Sequence, residues 1–219
     1  MVLVPGEHTH YVTDCRAPGA NVWKLPVEGL DAKNVFFMRT IKDETVIREA
    51  ATTAKNIVVV GASFIGSETA AGHVTQFKDA KVALVSADDV PFKLQLGEEI
   101  GQMMKREHEK AGVNVETSAL LKKVNANADG SGKSVSLSNG KEVEADLVVL
   151  GTGARPATEF SKDSGRELET DGDVTVDPFL QTNDKHIFAA GDIASYSYWS
   201  TGSSTRTDTH IEGDAGEQG

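Results

Sequence analysis

Four β-branched residues in a row, Ile57 to Val60, run directly into Gly61-Ala62-Ser63-Phe64-Ile65-Gly66-Ser67-Glu68. Behind them Ile65, Thr69, Ala70, Val74 and Phe77 keep helical spacing. An uninterrupted apolar run fits a strand buried on both faces, as in a parallel sheet with helices above and below. The glycine that follows allows a tight turn into a helix. Strand, turn and helix are therefore predicted over positions 57–77.

The rest of the chain extends this unit. Lys81–Val85 and Leu147–Leu150 read as further buried strands, and Val113–Glu116 as a short one. Glu98–Lys110 reads as a second helix with Ile100, Met103, Met104 and Glu107 on its period, closed by Gly112 as a left-handed cap. Right-handed crossovers turn this order into an α/β fold with a doubly wound, mostly parallel sheet. From Leu121 onward the period changes to two. Val124–Ala128, Ser134–Ser138 and a strand from Glu142 are separated by Asp129-Gly130-Ser131-Gly132 and by Asn139-Gly140, which predicts an antiparallel meander inserted before the last parallel strand. Asn34–Met38 reads as a strand and Asp43–Ala54 as a helix. With the turn-rich stretches Arg16–Ala20 and Leu25–Gly29, the first fifty or so residues hold too few elements to make a domain alone. Ser195–Gly219 has no apolar period and is read as loop.

Charge and cysteine content narrow the function classes. The 219 residues carry 22 Lys+Arg against 33 Asp+Glu, a formal charge of −11. That charge repels phosphate backbones, and no Lys/Arg stripe offsets it, so nucleic acid is not an expected partner. No apolar run approaches the ~20 residues that cross a bilayer, so no transmembrane segment is expected. Cys15 is the single cysteine, which leaves no internal disulfide and no Cys-x-x-Cys pair. Val2–Pro5 is too short for the core of a signal peptide, and a cytoplasmic location is the default expectation.

Three motifs carry chemistry. In positions 61–68, Gly61 permits the turn, the amides of Ser63, Phe64 and Ile65 would face a pyrophosphate at the positive helix end, and Gly66 lets helix and strand approach closely. The alternative is a tight strand-to-helix turn with no ligand. Gly151-Thr152-Gly153 ends the third strand, where ligands of such sheets sit; alone it is also compatible with a plain loop. Thr182–Asp192 runs through a short apolar strand into Gly191-Asp192, whose carboxylate can accept from a ligand hydroxyl or cap a following helix.

Taken in order, GASFIGSE, GTGARP and TNDKHIFAAGD resemble the FAD-dependent pyridine-nucleotide oxidoreductases. The similarity is greatest to the branch of apoptosis-inducing-factor-like proteins, ferredoxin and rubredoxin reductases and monodehydroascorbate reductases, and it covers about Lys24 to Asp192. The resemblance implies a central NAD(H)-binding domain over 53–151, a remnant of an FAD-binding domain with its linker over 1–52, and a return segment of that domain over 152–219. It implies that Gly61, Ser63, Phe64, Ile65 and Gly66 hold the pyrophosphate of NAD(P)H and that Glu68 lies near the nicotinamide ribose. Gly151, Thr152 and Gly153 would line the nicotinamide side, Arg39 would lie near the flavin, and Gly191 and Asp192 would meet the ribityl chain of FAD. The implied reaction is hydride transfer from nicotinamide to flavin and onward to an electron acceptor that the sequence does not name. With no cysteine pair the chain does not fit the disulfide reductases, which need two active thiols.

The departures are informative as well. Where an acidic residue is expected after the second strand stands Ser86, followed by Asp88 and Asp89; Ser86 is read as a ribose partner, with Asp88 folding back as the alternative, and with no arginine there NADH is favoured over NADPH. No G-x-G-x-x-G unit for FAD precedes Arg16, and Ala215–Gly219 resembles the start of a flavin-capping helix. The chain is thus read as an internal piece with weak or no FAD retention of its own, and any presequence for a mitochondrial location would be missing. Two rival functions stay open: a non-catalytic NAD-binding or regulatory module, and an interaction fragment. His8 and His10 read as part of a solvated terminus, His73 and His108 as surface or edge residues, Met103-Met104 as core, and Asp88-Asp89 and Glu98-Glu99 as solvated charge. No metal ligand set is expected.

Overall fold

The computed structural model describes residues 14–159, 168, 172–197 and 206–208. They fall into two units, one of 22–153 and one that joins the residues before Val22 to those from Ala154 onward. His8, His10 and Ala215–Gly219 lie outside the described residues.

In the second of these units the strands are short. β1 (Asp14–Arg16) runs parallel to β13 (Ile187–Ala189), and β2 (Ala20–Val22) lies beside β11 (Ala154–Pro156). β12 (Val174–Thr175) pairs in parallel with β14 (Ala194–Ser197), which pairs antiparallel with β15 (Arg206–Asp208). Val174, Val176, Ala189, Ile193 and Ala194 form their small core. The loop expected from Ser195 onward is therefore corrected at 195–197 and 206–208, which are paired strand. Pairing is made by backbone groups and needs no apolar period, so the polar sequence hid it.

The larger unit is built on one sheet. Its strands are β3 (Val35–Phe37), β4 (Asn56–Val60), β5 (Lys81–Val85), β6 (Val113–Glu116) and β10 (Leu147–Leu150). They stand in the order β3-β10-β4-β5-β6 with every neighbouring pair parallel. The α/β parallel sheet read from the sequence is the observed one. The helices α1 (Ile41–Ala51), α2 (Phe64–Gln76) and α3 (Lys93–Lys110) connect strands that all step in the same direction across the sheet. Right-handed crossovers then place all these helices on one face.

Side-chain alternation divides the core accordingly. Ile57, Val59, Val82, Leu84 and Val149 pack against Ile47 and Ala51 of α1 and Ala70 and Val74 of α2. Val58, Val60, Ala83, Val85 and Val148 pack instead against Leu121, Val124, Val135 and Leu137. Those residues belong to the meander of β7 (Leu121–Ala126), β8 (Gly132–Leu137) and β9 (Glu142–Glu144). The sheet therefore has helices on one face and the meander on the other, rather than helices above and below. The reason is topological: the return from edge strand β6 to β10 runs against the helical steps and must cross the opposite face. Asn34 pins this layer, its amide donating to the carbonyls of Gly132 (2.9 Å) and Asp146 (2.6 Å) while its oxygen accepts the Gly132 N–H.

Three readings of side-chain orientation are corrected. His73 and His108 are buried, 8% and 5% exposed, and not surface residues. In α3 the buried positions are Gly101 and His108, while Ile100 and Met103 point outward at 42% and 48% exposure. Gly97 (φ 78°, ψ 176°) breaks α3 one turn after its start, which resets the rotation of all that follows. In α2 the buried set is Gly66, Ser67, Ala70, His73 and Val74, rotated from the stripe through Ile65 and Thr69.

Candidate functional site

The turn from β4 to α2 is held by backbone alone. Gly61 has φ +103°, a conformation that favours glycine, and its N–H donates to the Val85 carbonyl at 2.9 Å. A Cβ on Gly66 would overlap the Gly61 carbonyl oxygen outright and stand 2.8 Å from its carbon. Gly151, at the end of β10, donates its N–H to the Val60 carbonyl at 2.8 Å, and a Cβ there would lie 2.8 Å from both N and Cα of Gly66. Turn, helix and strand thus meet through three glycines, with no room for a side chain between them.

This contact sets where the first-turn amides of α2 point. Ser63 is the N-cap, and its side chain makes no capping hydrogen bond. Its carbonyl accepts from the Ser67 N–H at 3.0 Å, which leaves the N–H groups of Phe64, Ile65 and Gly66 as donors without helical partners. The Phe92 N–H donates to the Ala62 carbonyl at 2.9 Å. In a trans peptide the carbonyl and the following N–H point oppositely, so the Ser63 N–H is turned away from Phe92. Phe92 is buried with φ +57°, and its ring meets Phe64 edge-on at 5.1 Å between centroids. It was not found from the sequence: a left-handed phenylalanine contacting a distant turn leaves no local signal. Together the positive helix end and this row of donors favour an anionic group.

The other candidates surround this turn to different degrees. Glu68 is exposed, one turn beyond Phe64 on the same side of α2. Ser86 follows β5 and is buried at 2% exposure, with its N–H on the Glu116 carbonyl (2.8 Å) and its carbonyl accepting from Ala119 (2.9 Å). Beyond it Asp89 binds Lys93 at 2.6 Å, and that ammonium holds the Asp89 carboxyl below its usual range. Asp88 accepts the Ser118 N–H through its carbonyl at 2.9 Å. The Thr152 hydroxyl donates to the Trp23 carbonyl (2.9 Å), and the Trp23 N–H to the Gly153 carbonyl (3.0 Å), which clamps the second glycine turn. Arg39 is exposed just after β3, its N–H 3.2 Å from the Asp43 carboxylate.

Gly191 and Asp192 belong to the other unit. They open a single 3-10 turn, Gly191–Ile193, with Ala190 rather than Asp192 at its N-cap. Gly191 has φ +69°, and Gly19 lies so close that a Cβ on it would come within 3.9 Å of an Asp192 carboxylate oxygen. Among the described residues no group of His, Cys, Asp and Glu side chains is arranged to hold a metal ion. No described helix is long and apolar enough to cross a membrane.

Comparison with known proteins gives the same direction as the geometry. The chain is 36% identical over 196 residues to apoptosis-inducing factor 3 of Mus musculus, covering 90% of this chain and 32% of that protein. It is 33% identical to monodehydroascorbate reductase of Pisum sativum, with 87% of this chain and 44% of that one covered. The ferredoxin reductase for the CYP199A2 system from Rhodopseudomonas palustris superimposes with a TM-score of 0.83 at 29% identity, covering 90% of this chain and 48% of that structure. The chain thus spans about a third to a half of the length of these relatives. The sequence profile of the pyridine nucleotide-disulphide oxidoreductases matches residues 10–211, and with its glycine-locked turn between parallel strands the chain belongs to that family.

Proposed function

We propose that this chain is the nucleotide-binding part of an FAD-dependent NAD(P)H oxidoreductase that passes electrons from a nicotinamide to a flavin and on to a separate acceptor. The observation that carries the reading is the glycine contact at the turn, Gly66 against Gly61 and Gly151 against Gly66, beside an N-cap Ser63 whose side chain makes no capping bond. In this reading the N–H groups of Ser63, Phe64 and Ile65 donate to the diphosphate oxygens, and the absent side chains let the ligand reach the backbone. Glu68 accepts from a ribose hydroxyl. Thr152 and Gly153 border the nicotinamide.

Charge at the end of β5 favours NADH. Asp88 and Asp89 stand there with Lys93, and Lys93 is already bound to Asp89. A 2′-phosphate would meet net negative charge and no uncommitted cation among these three side chains, whereas a ribose hydroxyl meets acceptors. Asp192, an acceptor on a glycine turn beside Gly19, suits the hydroxyl-rich ribityl chain of FAD. Arg39, assigned to the flavin, is an exposed cation. Bound FAD would supply the two-electron acceptor for the hydride. The chain's own groups bind, orient and exclude, and no protein acid or base is assigned.

Calorimetric titration tests the nucleotide half: NADH should bind, NADPH should bind more weakly, and ADP should compete. Absence of heat with NADH, or a preference for NADPH, would refute it. Reconstitution with FAD followed by anaerobic NADH tests the redox half, since bleaching of the flavin absorbance is expected. Nucleotide binding without any flavin uptake would identify a non-catalytic NAD-binding module instead.

A further inference from the structure

A cavity of about 340 Å³ opens between α1 and α2. Ile47, Ile65 and Phe77 give it apolar walls, and Glu44, Arg48 and Glu68 stand exposed around it. Arg48 is bound to Glu44 at 3.1 Å, so the charge left over is the negative one on Glu68. An anionic guest is therefore disfavoured.

Two features of α2 have no explanation in the fold itself. Gly72 lies in the helix interior, lines the cavity, and a Cβ on it would meet nothing within 4 Å. Alanine would fit there and favour the helix. What glycine provides at this place is width in the groove. The next residue, His73, also lines the cavity and is 8% exposed. Its Nδ1 lies 2.8 Å from the Thr69 carbonyl. A carbonyl only accepts, so Nδ1 carries the proton, and in that tautomer Nε2 is the acceptor of the ring. That Nε2 is buried and has no hydrogen-bond partner. Beside the imidazole, at 5.5 Å between centroids, lies the ring of Phe77, the first residue beyond α2.

We propose that this cavity binds a small phenol-class molecule, an uncharged aromatic ring bearing one hydrogen-bond donor. The ring lies against Ile47, Ile65 and the open backbone of Gly72, and the hydroxyl donates to His73 Nε2 as the Phe77 side chain turns aside. A guest of this kind matches the observations: apolar walls, a vacant width at Gly72, a buried imidazole acceptor without a partner on a lining residue, and residual negative charge. The inference does not rest on the nucleotide reading.

The test is titration of the whole chain with p-cresol, toluene and p-hydroxybenzoate, followed by ligand-observed NMR. p-Cresol should bind about tenfold more tightly than toluene, which lacks the donor, and more tightly than the carboxylate. His73→Phe should bring p-cresol down to the toluene level. Gly72→Leu should block both while the thermal midpoint stays at or above that of the parent chain, and NADH titration of the same variant should be unchanged. Equal affinity for p-cresol and toluene, a p-cresol preference that survives His73→Phe, binding that survives Gly72→Leu, or no binding of p-cresol up to about 10 mM would each overturn the proposal.

Discussion

Replacing Gly66 by alanine isolates the contact on which the dinucleotide reading depends. The added Cβ would sit on top of the Gly61 carbonyl oxygen and 2.8 Å from its carbon. Ordinary carbon contacts begin near about 3.5 Å, so the start of α2 must move away from the turn by about 0.7 Å or more. Both partners are backbone, and neither can rotate aside. The movement lifts Ala70 and Val74 from Ile57, Val59 and Leu84, which are among the most buried side chains in the unit. Overpacking of this kind costs about 1–3 kcal/mol or more, against a gain of about 1 kcal/mol from the better helix former. A net loss of up to about 2 kcal/mol is expected, with a thermal midpoint lower by up to roughly 8 °C. Displacement of the amide row should also weaken NADH binding by about tenfold or more. Gly72→Ala is the internal control, since it makes the same exchange in the same helix with nothing within 4 Å. It should raise stability by up to about 1 kcal/mol. Melting curves and NADH titrations of both variants decide the matter. A Gly66→Ala chain as stable as the parent, or one that binds NADH equally well, would show that the close approach is not what shapes the site.

Three further outcomes follow from named groups. Thr40 caps α1 by accepting the Asp43 N–H at 3.2 Å, while the Asp43 carboxylate accepts the Thr40 N–H at 2.8 Å. Thr40→Ala should cost about 1 kcal/mol in urea unfolding. Burial by itself would raise the Asp43 pKa, but hydrogen bonds from the Thr40 side chain and from the amides of Thr40 and Arg39 outweigh it and hold the group below 3.8. Its stabilising contribution is therefore present above the unfolded value and is lost as pH falls through the folded one, so the gap between parent and Asp43→Asn should close in acid. His108 moves oppositely in charge: burial lowers its pKa below 6.5, and its Nε2 has no partner. The unfolded chain takes up a proton near 6.5 that the folded chain refuses. Stability should thus fall from about pH 7 downward until the folded pKa is reached. His108→Leu should flatten that part of the urea-midpoint profile; an unchanged slope would refute the assignment.

What could be read from the sequence was local. Ile57–Val60, Lys81–Val85 and Leu147–Leu150 are strands in the structure because β-branched runs buried on both faces announce themselves by composition alone. Asn139-Gly140 marked the turn between β8 and β9, and there Gly140 has φ +83°. Gly61 and Gly66 stood out for the same reason, since a turn between strand and helix imposes its requirements on adjacent residues.

What lay hidden was non-local. No periodicity links Gly151 to Gly66, yet the backbone of Gly66 leaves no room for a side chain on Gly151. Phe92 supports the Ala62 carbonyl from a left-handed conformation that only the packed loop can impose. The burial of His73 and His108 and the exposure of Ile100 and Met103 depend on how each helix is rotated against the sheet. By itself the sequence determined which segments are strands, helices and tight turns, because backbone propensity and spacing act over a few residues. Only the tertiary structure decided which sheet face the meander covers, which histidines are buried, and how three glycines close on one another. Those outcomes are set by close packing between segments remote in the chain, where a fraction of an ångström separates contact from overlap.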